Sequence, residues 1–304
     1  MMRVFVILAS ATVFMLSVTL ASSVSAQGQY SRQGAQAIIN TKDWSRLLAY
    51  GTAWTKAEPH NPDAWFVVGR AYGSKAFGVG LGQPLDAIAA YERAVQLQPR
   101  LLDGWVALGM TSEELGHWAA AVTAFQHCVE LNPDNTHYWD QLAISHGHAQ
   151  QFRLEADAIA NLERHAKDVQ DWNMAGTDLS AMAPFFETAA TLQKAKAAFE
   201  RGLQLDPRNG YLVNNLGIVE EFQGNWQAAL NDFQKASSLG NPLGRTNYDS
   251  LQKELAAERE AAASRPYQAY RCILCEVKLG QARQYIINHP SASMGEAMSA
   301  VNSH

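Results

Sequence analysis

The feature that most constrains the fold of this 304-residue chain is a pattern that recurs every 34 residues. Trp105 is followed by Trp139, and Pro99 by Pro133, each after that interval. Between them lie two stretches with apolar residues spaced three and four apart, which is the periodicity of an amphipathic helix. One pair of short helices cannot bury its apolar faces alone, so such units have to stack on their neighbours. The repeat therefore predicts an all-α protein.

The recurring columns contain the residue types that paired helices need. Large apolar side chains supply a packing face, Gly or Ala allows a close approach, and proline stops the second helix. The aligned columns are Trp65, Trp105 and Trp139; Val68, Leu108, Leu142 and Leu216; Gly69, Gly109, Ala143 and Gly217; Phe125 and Phe233; Cys128 and Ala236. Because the tryptophans recur in register, we interpret them as packing residues rather than ligand contacts. Cys128 shares a column with alanine, which predicts a buried, inert thiol.

This pattern resembles the tetratricopeptide repeat, in which Trp-x2-Leu-Gly-x2-Tyr precedes Ala-x3-Phe-x2-Ala-x4-Pro. The resemblance implies a right-handed α-solenoid of about six helix-turn-helix units plus C-terminal capping helices. It assigns residues 27–243 to the solenoid, 244–262 to a capping helix, and 263–304 to a C-terminal helical segment and tail. Two expansions, Gly73–Ala87 and Thr177–Leu192, interrupt the ordinary spacing.

The resemblance also implies a concave groove lined by the first helix of each unit, where a segment of a partner protein would bind. The residues predicted to contact that partner are Phe66, Arg70, Asp103, Val106, Met110, Glu113, Asp140, Gln141, Ile144, Asn173, Asn214, Asn215 and Ile218. The amides among them can bond both the N–H and the C=O groups of an extended peptide. Since Arg70 is the only basic residue in this set, we expect a neutral or basic partner segment.

The first 26 residues have the layout of a secretory signal. Arg3 precedes an apolar stretch from Val4 to Leu20, and Val24-Ser25-Ala26 supplies small residues for cleavage before Gln27. We expect a periplasmic or extracellular protein that has no membrane insertion after cleavage, with an N-terminal membrane anchor as the alternative. The formal net charge of −5, without a basic block, argues against nucleic acid as a partner.

The sequence contains no recognisable catalytic constellation, so we expect neither an enzyme nor a cofactor. His146 and His148 are weak candidates for a metal site, because two further ligands would be needed. Cys272 and Cys275 form a Cys-x-x-Cys pair outside the repeats, which is a candidate for a disulfide or a redox centre.

These features predict a non-enzymatic scaffold that holds a peptide or helix of a partner protein, in the assembly or regulation of a cell-envelope complex. One alternative is a redox or metal-handling envelope protein that uses the cysteine pair and docks through its repeats. Another is a glycan or small-molecule binder that uses Trp44, Trp54 and the two expansions.

Overall fold

The computed structural model describes residues 30–73 and 80–263. These residues form thirteen α-helices and no strand. The helices are α1 (Arg32–Asn40), α2 (Trp44–Ala57), α3 (Pro62–Tyr72), α4 (Pro84–Leu97), α5 (Leu102–Glu114), α6 (Trp118–Leu131), α7 (Thr136–His148), α8 (Phe152–His165), α9 (Val169–Met182), α10 (Thr188–Leu205), α11 (Gly210–Phe222), α12 (Trp226–Ser238) and α13 (Pro242–Ala263). The predicted all-α fold is confirmed. Within the described ranges, every helix is too short or too polar to cross a membrane.

The first twelve helices pack as six consecutive pairs, from α1 with α2 to α11 with α12. This is the arrangement that the repeat predicted. The last helix, α13, packs on α12, where Leu251 is buried in one cluster with Ala229 and Phe233. The helix therefore covers an apolar face that the sixth pair would otherwise expose.

Two compact units divide the chain. Unit 1 ends at Leu131 and contains α1 to α6, while unit 2 begins at Asn132 and contains α7 to α13. The boundaries predicted from the sequence, with one solenoid over residues 27–243, stay a prediction.

A glycine on the first helix of a pair lies against an aromatic ring of the second. A Cβ atom at Gly109 would come within 2.7 Å of Phe125 Cζ, which is closer than carbon atoms approach. The same relationship joins Gly34 to Tyr50, Gly69 to Tyr91, Gly176 to Phe199 and Gly217 to Phe233. These glycines set the distance between paired helices, because any side chain would displace the ring.

The tryptophan column ties three of the first helices, α3, α5 and α7, to the turn before each of them. The indole N–H of Trp65 donates to the carbonyl of Pro59 at 2.9 Å, that of Trp105 to Pro99 at 2.9 Å, and that of Trp139 to Pro133 at 2.8 Å. The three rings are half-buried, because one edge packs while the N–H satisfies a turn carbonyl. Tryptophan and proline therefore recur together, six residues apart.

Candidate functional site

The first helices of the three pairs of unit 1 line an open pocket. The cavity has a volume of about 480 Å³ and lies between α1, α3 and α5. Five residues predicted to contact a partner line it together, namely Phe66, Arg70, Asp103, Val106 and Met110. Glu113, at the end of α5, lies outside the residues that line the cavity.

Arg32 of α1 joins all three helices across this pocket, and the sequence prediction missed it. Its Nε donates to Asp63 Oδ1 and its Nη1 to Asp103 Oδ2, both at 2.7 Å. The guanidinium carbon also lies 4.8 Å from the centre of the Phe66 ring. A signal was present in the sequence, because Asp63 and Asp103 occupy equivalent positions in consecutive units and two aligned acids favour a shared cation.

The two acids keep Arg32 charged. Burial lowers the pKa of the Arg32 guanidinium, but hydrogen bonds and attraction from Asp103 and Asp63 outweigh burial, so the pKa is raised. Asp103 is exposed, yet one of its carboxylate oxygens is occupied by this contact. The predicted contact of Asp103 with a partner stays a prediction.

Arg70 supplies the second positive charge of the pocket. Its side chain is half-buried, and its Nε has no hydrogen-bond partner. Tyr91 lies beside it on the cavity wall, where burial raises the pKa of the phenol and the positive charge of Arg70 opposes that effect. Phe66, Val106 and Met110 are also half-buried, so they combine packing within unit 1 with a face toward the cavity.

In unit 2, the predicted asparagines form one chain of side-chain hydrogen bonds. Asn215 donates to Asn173 at 3.0 Å, Asn214 to Asn215 at 3.5 Å, and Asn247 of α13 to Asn214 at 2.9 Å. Asn214 is only 2% exposed. Its amide lies between those of Asn215 and Asn247, and its contact with a partner stays a prediction.

Other predicted residues of unit 2 also pack or form hydrogen bonds within the unit. Asp140 is buried and accepts a hydrogen bond from Gln141 at 3.1 Å, so its contact with a partner stays a prediction. Ile218 packs against the buried cluster beneath α13, and Ile144 is half-buried.

Comparison with known proteins agrees with this geometry. The family model described as "Tetratricopeptide repeat" matches residues 102–135, which are α5, α6 and their flanks. A tetratricopeptide repeat protein from Parabacteroides merdae has a solved structure that superposes with a TM-score of 0.55 at 13% identity, covering 88% of this chain and 96% of that one. The chain contains a tetratricopeptide repeat at residues 102–135, and its described helices have the fold of tetratricopeptide-repeat proteins.

Curated relatives match over limited stretches of these repeats. Tetratricopeptide repeat protein 33 of Xenopus laevis is 31% identical over 91 residues, which are 30% of this chain and 34% of that protein. The UDP-N-acetylglucosamine–peptide N-acetylglucosaminyltransferase of Giardia intestinalis is 45% identical over 51 residues, which are 17% of this chain and 3% of the enzyme. The chain spans about a third or less of the length of the curated relatives it matches. These matches concern the tetratricopeptide repeats and carry no activity over to this chain.

The histidine pair of the fourth helix pair lies at the end of α7. His146 is buried with its Nδ1 2.7 Å from Gln151 Oε1, whereas His148 is exposed at the end of α7. In the part of the chain that the structure describes, no three His, Cys, Asp or Glu side chains are placed to hold a metal ion. The weak metal prediction for His146 and His148 is therefore not supported by their positions.

The structure describes one of the three cysteines. Cys128 is buried, as the repeat pattern predicted, and burial raises the pKa of its thiol to about 12, which disfavours the reactive thiolate. Cys272 and Cys275 lie outside the described residues.

The two tryptophans considered for glycan binding, Trp44 and Trp54, both lie on α2 of the first helix pair. Trp54 is 3% exposed and its indole N–H donates to Glu58, while Trp44 is half-buried against the same core cluster. Trp54 therefore presents no open face of the kind on which a sugar stacks.

Proposed function

We propose that this protein is a scaffold that holds a segment of a partner protein in the pocket of unit 1. The repeats themselves indicate a protein–protein interaction scaffold, and their fold is typically non-enzymatic. The observation that carries the proposal is the cavity between α1, α3 and α5, on which five residues of the expected groove converge. A cavity of about 480 Å³ is large enough to accept a few side chains of a peptide or helix.

The burial of apolar side chains is the main favourable contribution that this pocket would make to partner binding. Phe66, Val106 and Met110 are each half-buried, so part of each side chain is still available for burial by a partner. Burying such side chains contributes roughly 25 cal/mol per Å² of apolar surface. Methionine adds adaptability, because its unbranched side chain can adjust to the shape of the guest.

The charges of the pocket favour a partner segment that is neutral at the point of contact. Asp63 and Asp103 share the positive charge of Arg32, and Arg70 supplies a second one, so the two acids and the two guanidinium groups sum to no net charge. Arg70 remains as a hydrogen-bond donor beside the apolar wall. A main-chain carbonyl or a side-chain amide of the partner would satisfy it without the cost of burying a second full charge.

Site-specific photo-crosslinking tests the proposal. A photo-reactive amino acid at position 106, on the cavity wall, should capture one partner in extract of the source organism. The same group at Leu85, which is 65% exposed on α4 and outside the cavity lining, should not capture it.

Matched charge substitutions complete the test. Met110→Glu, combined with the reactive group at position 106, should abolish that capture, whereas Leu85→Glu should leave it unchanged. Equal capture by both reactive positions, or capture that survives Met110→Glu, would contradict the assignment of the pocket.

We also propose that the partner belongs to a cell-envelope complex. Support comes only from the signal-like residues 1–26, which lie outside the described part of the chain. Mass spectrometry of the protein isolated from cells should find a mature N-terminus at Gln27. An intact N-terminus in a cytosolic fraction would contradict this location.

A further inference from the structure

The turn between α9 and α10 presents an exposed aromatic ring on the surface of unit 2. This turn spans residues 183–187 and belongs to the second expansion of the repeat, whereas the equivalent turn between α5 and α6 spans only residues 115–117. Phe185 lies within it and is 63% exposed. Its ring is stacked on that of Phe152, at the start of α8, with an interplanar angle of 4° and centroids 5.5 Å apart. Phe152 therefore covers one face of the Phe185 ring, and the other face is open to solvent.

Hydrogen bonds fix the turn that carries Phe185. The backbone N–H groups of Phe185 and Phe186 both donate to the carbonyl of Met182, at 2.9 and 3.2 Å. From the α10 side, the Thr191 hydroxyl donates to the carbonyl of Phe186 at 2.8 Å. Met182 and Thr191 are both buried, so the turn is anchored in the interior of unit 2. The ring is held in place before any partner arrives, which lowers the entropic cost of binding.

Glu187, the last residue of the turn, has a backbone conformation that residues with a side chain rarely adopt. Its φ is 43° and its ψ is 48°, in the left-handed region that favours glycine. Such strain persists only where the surrounding structure imposes it, and it is concentrated at functional sites. Here a strained backbone lies two residues after an exposed apolar ring. Neither feature benefits the fold by itself, which favours an interaction surface at this turn.

Two charges of opposite sign accompany the stacked rings. Arg153 follows Phe152 in the first turn of α8, and Glu187 lies two residues after Phe185. Both side chains are exposed, and neither forms an ion pair or a hydrogen bond with another residue that the structure describes. A surface with an apolar centre and one charge of each sign is complementary to itself. A two-fold axis can bring the cation of each copy to the anion of the other.

We propose that Phe152, Arg153, Phe185 and Glu187 form an aromatic patch that binds a second copy of the chain in a two-fold symmetric dimer. Phe185 of each copy packs on the open ring of the other and extends the stack, while Arg153 of each copy pairs with Glu187 of the other. A membrane surface fits the patch less well, because anionic headgroups would attract Arg153 but repel Glu187. The dimer is independent of the pocket of unit 1, since none of the four residues lines that cavity.

The size of the aromatic patch predicts a weak, reversible dimer. Stable interfaces use roughly 20–30 residues from each partner, which is far more than the patch contains. Sedimentation of the purified protein over about 1–300 μM, a range that brackets the affinity of a weak interface, should therefore show a shift from monomer to dimer.

Substitution of the central ring tests whether the aromatic patch is the interface. Phe185→Ser should weaken self-association by roughly tenfold or more, because a preorganised aromatic side chain at the centre dominates a small interface. Leu205→Ser is the matched control, since Leu205 is 55% exposed in the same unit but lies at the opposite end of α10. This control should associate like the wild type. Thermal unfolding should show that both variants keep the wild-type stability, because both side chains are exposed.

A charge exchange distinguishes the proposed pairing from non-specific apolar contact. Arg153→Glu and Glu187→Arg should each weaken the dimer, because each variant places like charges opposite one another. The double variant Arg153→Glu/Glu187→Arg should regain most of the wild-type affinity. An equimolar mixture of the two single variants should also associate, since both contacts then join opposite charges. If Glu187→Arg does not fold, Phe185→Ser and Arg153→Glu decide the question.

Three results would overturn the dimer at the aromatic patch. The first is a wild type that stays monomeric at every concentration. The second is self-association that Phe185→Ser leaves unchanged, or that neither the double variant nor the mixture regains. The third is binding of the monomer to vesicles of phosphatidylglycerol and phosphatidylethanolamine that Phe185→Ser abolishes, since this would assign the patch to a membrane. Failure of the crosslinking test at position 106 would leave all of these measurements unaffected.

Discussion

Gly109 of α5 lies against the ring of Phe125 of α6, so closely that a Cβ atom would come within 2.7 Å of Cζ and 2.9 Å of Cε2. Five of the six helix pairs place a glycine and an aromatic ring in this way. The fourth pair has Ala143 and Ile159 at the equivalent positions, and both are buried. A larger residue on the first helix is thus matched by a smaller one on the second.

Gly109→Ala should therefore destabilise unit 1, although alanine is the better helix former. The gain in helix propensity is about 1 kcal/mol, but overpacking against the rigid ring costs about 1–3 kcal/mol, so we expect a net loss of up to about 2 kcal/mol. Urea unfolding measures this loss in the free energy of unfolding. The double variant Gly109→Ala/Phe125→Ile should recover part of the loss relative to the sum of the two single variants. A stabilised Gly109→Ala protein would show that the ring moves aside freely.

The helix pairs were predictable from the sequence because each column has a simple physical meaning. Gly109 and Phe125 recur with their equivalents at fixed spacings, and the structure places them in contact. The pocket was predictable only in part, since the resemblance gives positions on a helix but not the pairing between helices. Arg32 is the example, because its partners lie 31 and 71 residues away in sequence.

The aligned columns of the repeat also did not reveal which of the predicted side chains are buried. Asn214 and Asn215 are neighbours in sequence, yet Asn214 is 2% exposed while Asn215 is half-buried. The difference arises from α13, whose Asn247 covers Asn214 and lies outside the repeat pattern. A residue contributed from beyond the repeats cannot be inferred from their period.

The contact between Arg32 and Asp103 should stabilise unit 1 only modestly. Both side chains are more than a third exposed, and pairs of this kind contribute about 0.2–1 kcal/mol. A double-mutant cycle with Arg32→Ala and Asp103→Ala, followed by urea unfolding, should give a coupling energy in that range. The coupling should shrink at high salt, and one that is independent of salt would contradict a screened surface pair.

Lys196 of α10 and Glu220 of α11 form an ion pair that should contribute more to stability than the contact between Arg32 and Asp103. Lys196 Nζ lies 2.5 Å from Glu220 Oε1, Asn225 donates to Glu220 Oε2 at 2.7 Å, and the Glu220 side chain is only 6% exposed. Lys196→Met leaves a buried carboxylate without its cation, so we expect a loss of about 2–4 kcal/mol in the free energy of unfolding.

The matched double variant isolates the origin of that loss. Lys196→Met/Glu220→Gln removes the charge together with its partner and should be more stable than Lys196→Met alone. The measurement is urea unfolding at pH 7. Equal stability of the single and double variants would mean that the unpaired charge of Glu220 is not the cause.

Asp232 should make stability depend on pH in a lower range. Burial, with a further contribution from Glu220, raises the pKa of Asp232 from 3.8 to about 6, while Lys235 and Lys196 oppose the shift. The folded state then holds a proton that the unfolded chain has released, so the acid destabilises the fold increasingly as pH rises from about 4 to about 6. Asp232→Asn removes this penalty and should raise the free energy of unfolding by about 1–2 kcal/mol at pH 7, with little effect at pH 4. The comparison requires urea unfolding at both pH values, with Asp157→Asn as the exposed control. An equal gain at both values would assign the effect to packing instead of ionisation.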